Sequence, residues 1–264
     1  MTVRDHEWLS PTERESYVWG IGRRSGGGGA LGAGTKYPRA VTALRLLLLV
    51  PLALGAASVS AQGGEVQIAR VQYGGGGDWY SGDPLPTLVA YARQHTLLDV
   101  DPTPITVELT SDRLFTIPFL FLNGHGNVVL TDEEAGRLRR YLEAGGFLFV
   151  NDDYGLDEAV RRELRKVFPD QELQPLPDSH PVFHAHFSFP DGLPKIHEHD
   201  GEPAEGLGLF HEGRLVVFYA YQSDLADGWE PEGVHPNPPA VREAALQMGV
   251  NLLVYAMTQG AVVQ

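Results

Sequence analysis

The amino-acid sequence predicts an α/β fold in which a mostly parallel sheet is covered by helices on both faces, with an antiparallel hairpin near the C-terminus. Three observations support this prediction. Strand-type and helix-type hydrophobic patterns alternate along the chain with short connections. Two of the strand patterns are nearly continuous apolar runs, typical of strands buried on both faces. Late in the chain, a Glu-Gly turn separates two further strand patterns.

The first half of this pattern begins with two amphipathic segments. Residues Val66 to Tyr73 alternate between apolar and polar side chains, which predicts a half-buried strand. Leu85 to His95 has helical spacing, and Ile105 to Leu109 alternates again as a second strand. The apolar run Ile117 to Leu122 then predicts a buried third strand, with a proline near its start.

The second half begins with a capping box, in which Thr131 and Glu134 can satisfy each other's free backbone amides at a helix start. The helix is predicted to end at Ala144, before two glycines. Phe147 to Val150 is predicted as another buried strand, and Leu156 to Phe168 as an amphipathic helix.

The last third predicts the hairpin and a closing helix. Gly206 to His211 and Arg214 to Tyr221 flank the turn at Glu212-Gly213, so this pair can join the sheet edge. Pro239 to Thr258 has the length and composition of a helix. Residues 62–264 are therefore interpreted as a single domain.

The segment before residue 62 has the features of a leader. Arg45 precedes the apolar run Leu46 to Ala57, and small residues up to Ala61 predict signal-peptide cleavage there. The apolar run falls short of the roughly 20 residues that span a bilayer. Residues 1–40 show no hydrophobic periodicity and are interpreted as disordered or as an upstream extension. The prediction is a periplasmic or secreted protein; the alternative is an uncleaved leader that anchors it to the inner membrane.

The charge of the predicted mature domain limits its partners. Residues 62–264 carry 13 basic and 30 acidic side chains, a formal charge of −17. Such a domain repels phosphates and anionic lipids, which argues against nucleic acid and against membrane contact other than through the leader. Small molecules, cations or an envelope protein remain as partners. The absence of cysteine excludes disulfides and any thiol nucleophile.

Polar residues follow three of the predicted parallel strands, where open sheets of this class bind ligands. Asp78, Trp79 and Asn123 are predicted ligand-binding residues, with Trp79 alternatively part of the core. His125 is a general base, a metal ligand or a hydrogen-bonded turn residue. Asp152 and Asp153 begin a helix, so one can cap it while the other serves as a ligand or general base.

Five histidines and three acids lie between His180 and Asp200. His184 with His186, and His197 with His199, form two pairs with the i, i+2 spacing that places side chains on one face of an extended chain. Imidazole is a common metal ligand, which makes His197, His199 and Asp200 candidate ligands of a divalent ion. The alternative is that these imidazoles bond backbone carbonyls while nearby acids pair with Lys195.

The segment Ser223 to Glu230 carries three carboxylates. Asp224 and Asp227 are predicted ligand-binding residues, because hard oxygen ligands suit calcium or magnesium. The spacing is not that of an EF-hand loop. The segment is interpreted as an acidic surface loop that Trp229 anchors to the core, and His235 follows shortly after it.

Five motifs together resemble the bacterial domain-of-unknown-function family 4159 from about Glu65 to Thr258; they are Y-G-G-G-G-D-W-Y, P-F-L-F-L-N-G-H-G, G-G-F-L-F-V-N-D-D-Y-G, K-I-H-E-H-D-G and S-D-L-A-D-G-W-E. The family is similar to the class I glutamine amidotransferase-like superfamily, which implies a flavodoxin-like three-layer sandwich. By that resemblance, Asp153 stands two residues before Gly155, where the enzymes carry their cysteine. Thiol-based glutaminase chemistry is therefore excluded.

The sequence predicts two competing functions. One is metal-assisted hydrolysis of a small or peptide-like substrate, with His125 or Asp153 as base and Asp152 as an orienting acid. The other is a non-enzymatic binding module of the cell envelope. An enzyme should bring His125, Asp153 and part of the H-E-H segment around one pocket. A sugar-directed or peptidoglycan-directed enzyme has only the paired acids and Trp79 in its favour.

Overall fold

A computed structural model describes residues 65–197 and 201–259, all within one compact unit. The predicted leader, His199 and Asp200 lie outside the described residues. Within the described ranges, no helix is both long enough and apolar enough to cross a membrane.

The described residues form a seven-stranded sheet. Its strands are β1 (Ile68–Gln72), β2 (Ile105–Glu108), β3 (Phe119–His125), β4 (Phe147–Tyr154), β5 (Gln174–Pro175), β6 (Glu205–His211) and β7 (Arg214–Tyr221). The spatial order is β2-β1-β3-β4-β7-β6-β5, in which the first five strands pair in parallel and β6 pairs antiparallel with both β7 and β5. The predicted mostly parallel sheet with a C-terminal hairpin is confirmed, and the fold is consistent with a flavodoxin-like sandwich.

Helices cover both faces of the sheet. They are α1 (Leu85–His95), α2 (Asp132–Glu143), α3 (Asp157–Val167), α4 (Leu225–Trp229) and α5 (Pro239–Gln259). Side chains of α1, α4 and α5 share one apolar core with the sheet, and those of α2 and α3 share a second core on the other face. The predicted capping box is present, because Thr131 Oγ1 accepts from the Glu134 amide and the Glu134 carboxylate accepts from the Thr131 amide.

Alternating side chains of the two central strands determine which polar groups share a face. Phe119 stacks on Phe147 and Phe121 on Phe149, with ring centroids 5.7 and 5.6 Å apart, in the core beneath α5. Because side chains two residues apart lie on the same face, Asn123 and His125 continue the β3 row. Asn151 and Asp153 likewise continue the β4 row.

Two predicted boundaries change in a way that matters for function. β3 and β4 run on to His125 and Tyr154, since parallel pairing continues past the apolar residues, for example between Asn123 and Asn151. The polar residues that the sequence placed in loops are therefore the last residues of two buried strands. Asn151 and Asp153 are accordingly buried, with 0% and 6% exposure.

The prediction of an acidic surface loop at Ser223 to Glu230 was wrong. The segment contains α4, and Asp224, Asp227 and Glu230 are all buried. Trp229 explains this burial, because its ring packs against Phe121 and Phe149 and its Nε1 donates to the Ala245 carbonyl at 2.8 Å. The anchor thus draws the whole acidic turn into the molecule.

Candidate functional site

A cavity of about 200 Å³ lies beyond the carboxyl ends of β3, β4 and β7. Ligands of open α/β sheets bind at this edge, next to the point where the strand order reverses. The chain goes from β1 to β2 on one side and then to β3 on the other, so the reversal occurs at β1 and β3. The polar residues that line the cavity are Ser81, Asn123, His125, Asp153, His197, Asp224, Asp227, Glu230 and His235.

The first group of titratable side chains consists of His197, Asp227 and His235. The His197 Nδ1 contacts one oxygen of Asp227, and the His235 Nε2 lies 3.1 Å from the other. One ligand-type atom of each residue lies within 4.8 Å of the other two. Two imidazoles and one carboxylate on three sides of a space are a common ligand set for a divalent transition metal with open coordination positions.

His197 is held in this position by the turn that follows β7. The Ser223 Oγ accepts from the Ile196 amide at 3.1 Å and donates to the Pro194 carbonyl at 2.6 Å. The backbone φ angles of His197 and Gln222 are +52° and +58°, a region that side-chain-bearing residues rarely adopt. Such strain is concentrated at functional sites, where the surrounding structure maintains it.

The second group consists of Asp78, His125 and Asp153. The His125 Nδ1 lies 3.0 Å from Asp78 Oδ2 and 3.8 Å from Asp153 Oδ2. The His125 backbone amide also donates to Asp78 Oδ1 at 2.7 Å. Partial burial of Asp78 opposes its ionisation, but these contacts with His125 lower the pKa of Asp78 below its ordinary value. An ionised Asp78 therefore orients the imidazole.

Asn151 connects the two groups through the cavity floor. Its fully buried side-chain amide donates to Asp153 Oδ1 at 2.7 Å and to Asp224 Oδ1 at 2.8 Å. Asp224 Oδ1 also accepts from the Asp227 backbone amide at 3.1 Å, which caps α4. One chain of hydrogen bonds therefore links Asp227 on α4, through Asp224 and Asn151, to Asp153 on β4.

Burial makes both floor carboxylates weaker acids. Desolvation raises the pKa of Asp153 to about 6, although His125 and the amides of Asn151 and Asn123 oppose the shift. Desolvation, followed by the charges of Asp153 and Asp227, raises the pKa of Asp224 well above its ordinary value. Burial likewise raises the pKa of Glu230. Clusters of this kind with perturbed pKa values are typical of functional sites.

Asn123 lines the cavity with an incomplete set of hydrogen bonds. Its Nδ2 donates to Asp153 Oδ2 at 3.3 Å, and the Tyr73 hydroxyl donates to its backbone carbonyl at 2.9 Å. Its Oδ1 is buried and has no hydrogen-bond partner. Buried polar atoms are nearly always paired, so an unpaired acceptor in a cavity indicates a missing donor.

Two predicted site residues lie away from the cavity. Asp152 faces the opposite side of the sheet, where its carboxylate accepts from the Leu156 amide at 3.0 Å and from the Tyr219 hydroxyl at 2.8 Å. It fixes the turn that leads into α3 without capping the helix, and Asp78 rather than Asp152 is the acid that orients His125. Trp79 packs against the core on the α2 and α3 face and against Tyr80, so it does not line the cavity.

Most of the described part of the histidine-rich stretch is structural. His180 is half-buried, its Nδ1 accepts from the Val182 amide at 3.2 Å, and burial lowers its pKa. The His184 Nε2 contacts the Asp178 carbonyl at 2.9 Å, and His186 packs edge-on against Phe187. His184 ends a 3-10 turn, so its backbone is not extended and the first i, i+2 pair forms no chelate. Only His197 of these four reaches the cavity.

Three residues of the site were missed by the sequence reasoning. Glu230 is the last carboxylate of the acidic segment, His235 follows that segment, and Asn151 precedes the paired acids. A signal existed for His235, since it is a histidine shortly after three carboxylates. Asn151 carried no such signal, because an asparagine at a strand end is common and its two carboxylate partners are 2 and 73 residues away.

The sequence was compared with known protein families and curated proteins. The profile of a family described as a domain of unknown function, DUF4159, matches residues 67–257. No curated protein matches the chain. Because the match covers more than half of the sequence and all of the cavity-lining residues, the chain belongs to the DUF4159 family.

Proposed function

We propose that this DUF4159 domain is a metal-dependent hydrolase of a small substrate, with His197, Asp227 and His235 as the metal ligands. The observation that supports the proposal most is that this group and His125 with Asp153 line the same cavity. Convergence of this kind is expected of an enzyme, whereas a binding module would leave such residues scattered.

The ligand set fits a catalytic rather than a structural metal. Three protein ligands leave positions open for water and substrate, whereas structural zinc sites are closed by four. The ligands are also partly accessible, since the side chains of His197 and His235 are 39% and 35% exposed while Asp227 is 9% exposed. A bound divalent ion would supply an activated water, because it lowers the pKa of that water to about 7.

His125 is the group best placed to handle protons in this proposal. Its Nδ1 faces the Asp78 carboxylate, which leaves Nε2 as the nitrogen that exchanges a proton. The side chain is 51% exposed and lines the cavity, so substrate can reach it. The Asp78 and Asp153 carboxylates lie 3.0 and 3.8 Å from His125 Nδ1. This is the arrangement of a general base with an orienting carboxylate.

We also propose a relationship to the class I glutamine amidotransferase-like superfamily. The strand order and the position of the cavity support it. In that relationship Asp153 replaces the nucleophilic cysteine at the end of β4, so the same strand end would support water-based rather than thiol-based hydrolysis. A solved structure whose strand connectivity differed from that superfamily would contradict the proposal.

Export is a further proposal, and it rests on the apolar run before Ala61. Expression of the full chain in a Gram-negative host should give periplasmic protein whose N-terminus begins at Gln62. Protein that stays in the cytoplasm with Met1 intact would contradict it, and protein retained in the inner membrane would support the anchored alternative.

Metal content and hydrolysis together test the proposed activity. Untagged full-length protein equilibrated with Zn²⁺ or Mn²⁺ and then desalted should retain about one ion per chain. It should hydrolyse p-nitrophenyl acetate, and a chelator should abolish the activity. The His235→Ala variant should lose the ion, whereas His95→Ala, a matched change of an exposed histidine at the end of α1, should keep it.

Two results would contradict this proposal in different ways. Protein that retains no metal under these conditions excludes the metal centre. Protein that binds one ion but shows no hydrolysis above that of free metal favours the non-enzymatic binding module instead.

A further inference from the structure

The cavity wall has an excess of negative charge. Its described lining includes the four carboxylates of Asp153, Asp224, Asp227 and Glu230, and none of these lining residues is a lysine or arginine. The metal centre of the proposed function would lie at Asp227. The cavity floor is formed by Asp153 and Asp224. Asp153 has the His125 imidazole 3.8 Å away and a longer-range attraction to the buried Arg70.

The two floor carboxylates are held together although they repel each other. Asn151 donates one hydrogen bond to each of them, and both are more than 90% buried. Within the described part of the chain, no lysine or arginine forms an ion pair with either residue. Buried charges in proteins are ordinarily paired, and among the described residues neither His125 nor Arg70 forms a hydrogen bond to these two carboxylates, so the floor can accept a further positive charge.

Asn123 adds an independent indication of what that charge is. Its Oδ1 is unpartnered, and the residue is only 2% exposed. The same amide group bonds Asp153 through Nδ2, so the unpartnered oxygen lies beside the floor. A carbonyl oxygen requires an N–H or O–H donor, or a cation.

We propose that the substrate carries a protonated primary amine next to the bond that is hydrolysed, and that Asn123 Oδ1, Asp153 and Asp224 bind this ammonium group. The reference to a hydrolysed bond rests on the proposed function; the ammonium site itself does not. An ammonium group has three N–H donors, which matches three acceptors from β3, β4 and the turn before α4. Asp153 is also one of three residues, with Asp78 and His125, whose ligand-type atoms lie within 4.8 Å of one another, so a second metal ion is the competing occupant of the floor.

The size and charge of the cavity narrow the substrate class further. A volume of about 200 Å³ admits only a compact group. Phosphate and carboxylate groups would meet the four acids without a lysine or arginine to bind them. α-Amino acyl amides or esters of small side chain fit both conditions, with their carbonyl directed toward the metal and their ammonium group toward the floor.

Binding of two closely matched probes tests the ammonium site. L-Alaninamide and L-lactamide differ in that an ammonium group replaces a hydroxyl, and the former is mostly protonated at pH 7. Isothermal titration of Zn²⁺-loaded full-length protein should give at least ~10-fold tighter binding of L-alaninamide. In Asn123→Leu and Asp224→Asn variants that retain the wild-type melting temperature, the preference should fall below ~3-fold.

Several outcomes would overturn this inference without affecting the proposed metal centre. Equal binding of the two probes, tighter binding of L-lactamide, or binding of neither to metal-loaded protein each exclude the ammonium site. Two ions per chain with equal binding of the probes would show that a second metal takes the charge. Loss of the metal itself would instead count against the proposed function.

Discussion

Buried carboxylates occur in two regions of this molecule, and their surroundings differ. Glu163 on α3 is 3% exposed and contacts Arg162 at 2.7 Å and Lys166 at 2.6 Å. It also accepts from the Leu130 amide at 2.8 Å. Burial alone would raise the pKa of Glu163, but these partners lower it. Asp153 and Asp224 are similarly buried, yet amide groups are their main partners and burial raises their pKa values.

This difference separates a structural from a functional role. The positive partners of Glu163 lie within the chain, so its ionised form stabilises the contact between α3 and the residues just before α2. The cavity carboxylates lower stability in the absence of a cation, and proteins maintain such groups where a ligand will compensate them. The contrast therefore supports a cationic occupant of the cavity rather than a solvated acidic surface.

The largest expected effect comes from removing the carboxylate that both histidines contact. Asp227→Asn should reduce metal retention from about one ion per chain to below ~0.1 and hydrolysis by about 10³-fold or more. Metal analysis and initial rates measure the two effects. Asp170→Asn changes an exposed aspartate beyond the C-terminus of α3 and should leave both unchanged. Full metal retention in Asp227→Asn would refute the assignment of ligands.

The structural carboxylate should behave in the opposite way. Glu163→Gln should lower the free energy of unfolding by about 2 kcal/mol, because Arg162 and Lys166 lose their common buried partner. Urea titration measures the loss, and metal retention should not change. If the unfolding free energy of Glu163→Gln were within ~0.5 kcal/mol of the wild type, Glu163 would not stabilise the fold, and the contrast with the cavity carboxylates would be wrong.

Neutralising a cavity carboxylate should stabilise the metal-free protein. Asp153→Asn removes a buried charge, and the unpartnered Asn123 Oδ1 can accept from the new amide after Asn123 reorients. The expected gain is about 1 kcal/mol at pH 7, measured by urea titration in the presence of a chelator. A loss of stability at pH 7 would show that the Asp153 charge is already compensated within the chain.

The pH dependence of stability should have opposite signs in the two regions. Folded Asp153 has a pKa raised to about 6, so between about pH 4 and 6 the folded state binds more protons than the unfolded state. Its contribution to stability therefore decreases as the pH rises through this window, by at most about 1.4 kcal/mol per unit. Folded Glu163 has a lowered pKa, so its contribution is present above about pH 4.3 and is lost at lower pH.

Difference curves isolate these two contributions. The unfolding free energy of the metal-free wild type minus that of Asp153→Asn should fall from pH 4 to 7. The same difference for Glu163→Gln should be constant over that range down to about pH 4.3 and shrink below it. A flat Asp153 difference curve would contradict the attribution of its pKa to burial.

Much of the fold could be predicted from the sequence because its elements are strongly periodic. The capping box at Thr131 and the two strands whose apolar runs end at Leu122 and Val150 each follow from a local rule. The order of the strands then brings their carboxyl ends to one edge. This is why His125 and Asp153, predicted from their positions after those strands, line one cavity.

The remainder of the site depends on contacts that no local pattern contains. The acidic turn is buried because Trp229 packs against both Phe121 and Phe149, residues more than 75 positions away. His235 and His197 come together at the same Asp227 carboxylate, and Asn151 acquires its role from a hydrogen bond to Asp224, 73 residues away. The high density of histidines drew attention to the whole stretch from His180 as a candidate metal site. In the structure, however, His180 and His184 form hydrogen bonds with the nearby backbone.

The position of a bound metal tests the central claim most directly. Crystals of the full-length protein soaked in Zn²⁺ should show, in an anomalous difference map at the zinc edge, a peak about 2.0–2.2 Å from His197, Asp227 and His235. Cocrystals of Asp227→Asn should lack it. An anomalous peak elsewhere on the chain, or none at this cavity despite saturating Zn²⁺, would contradict the account.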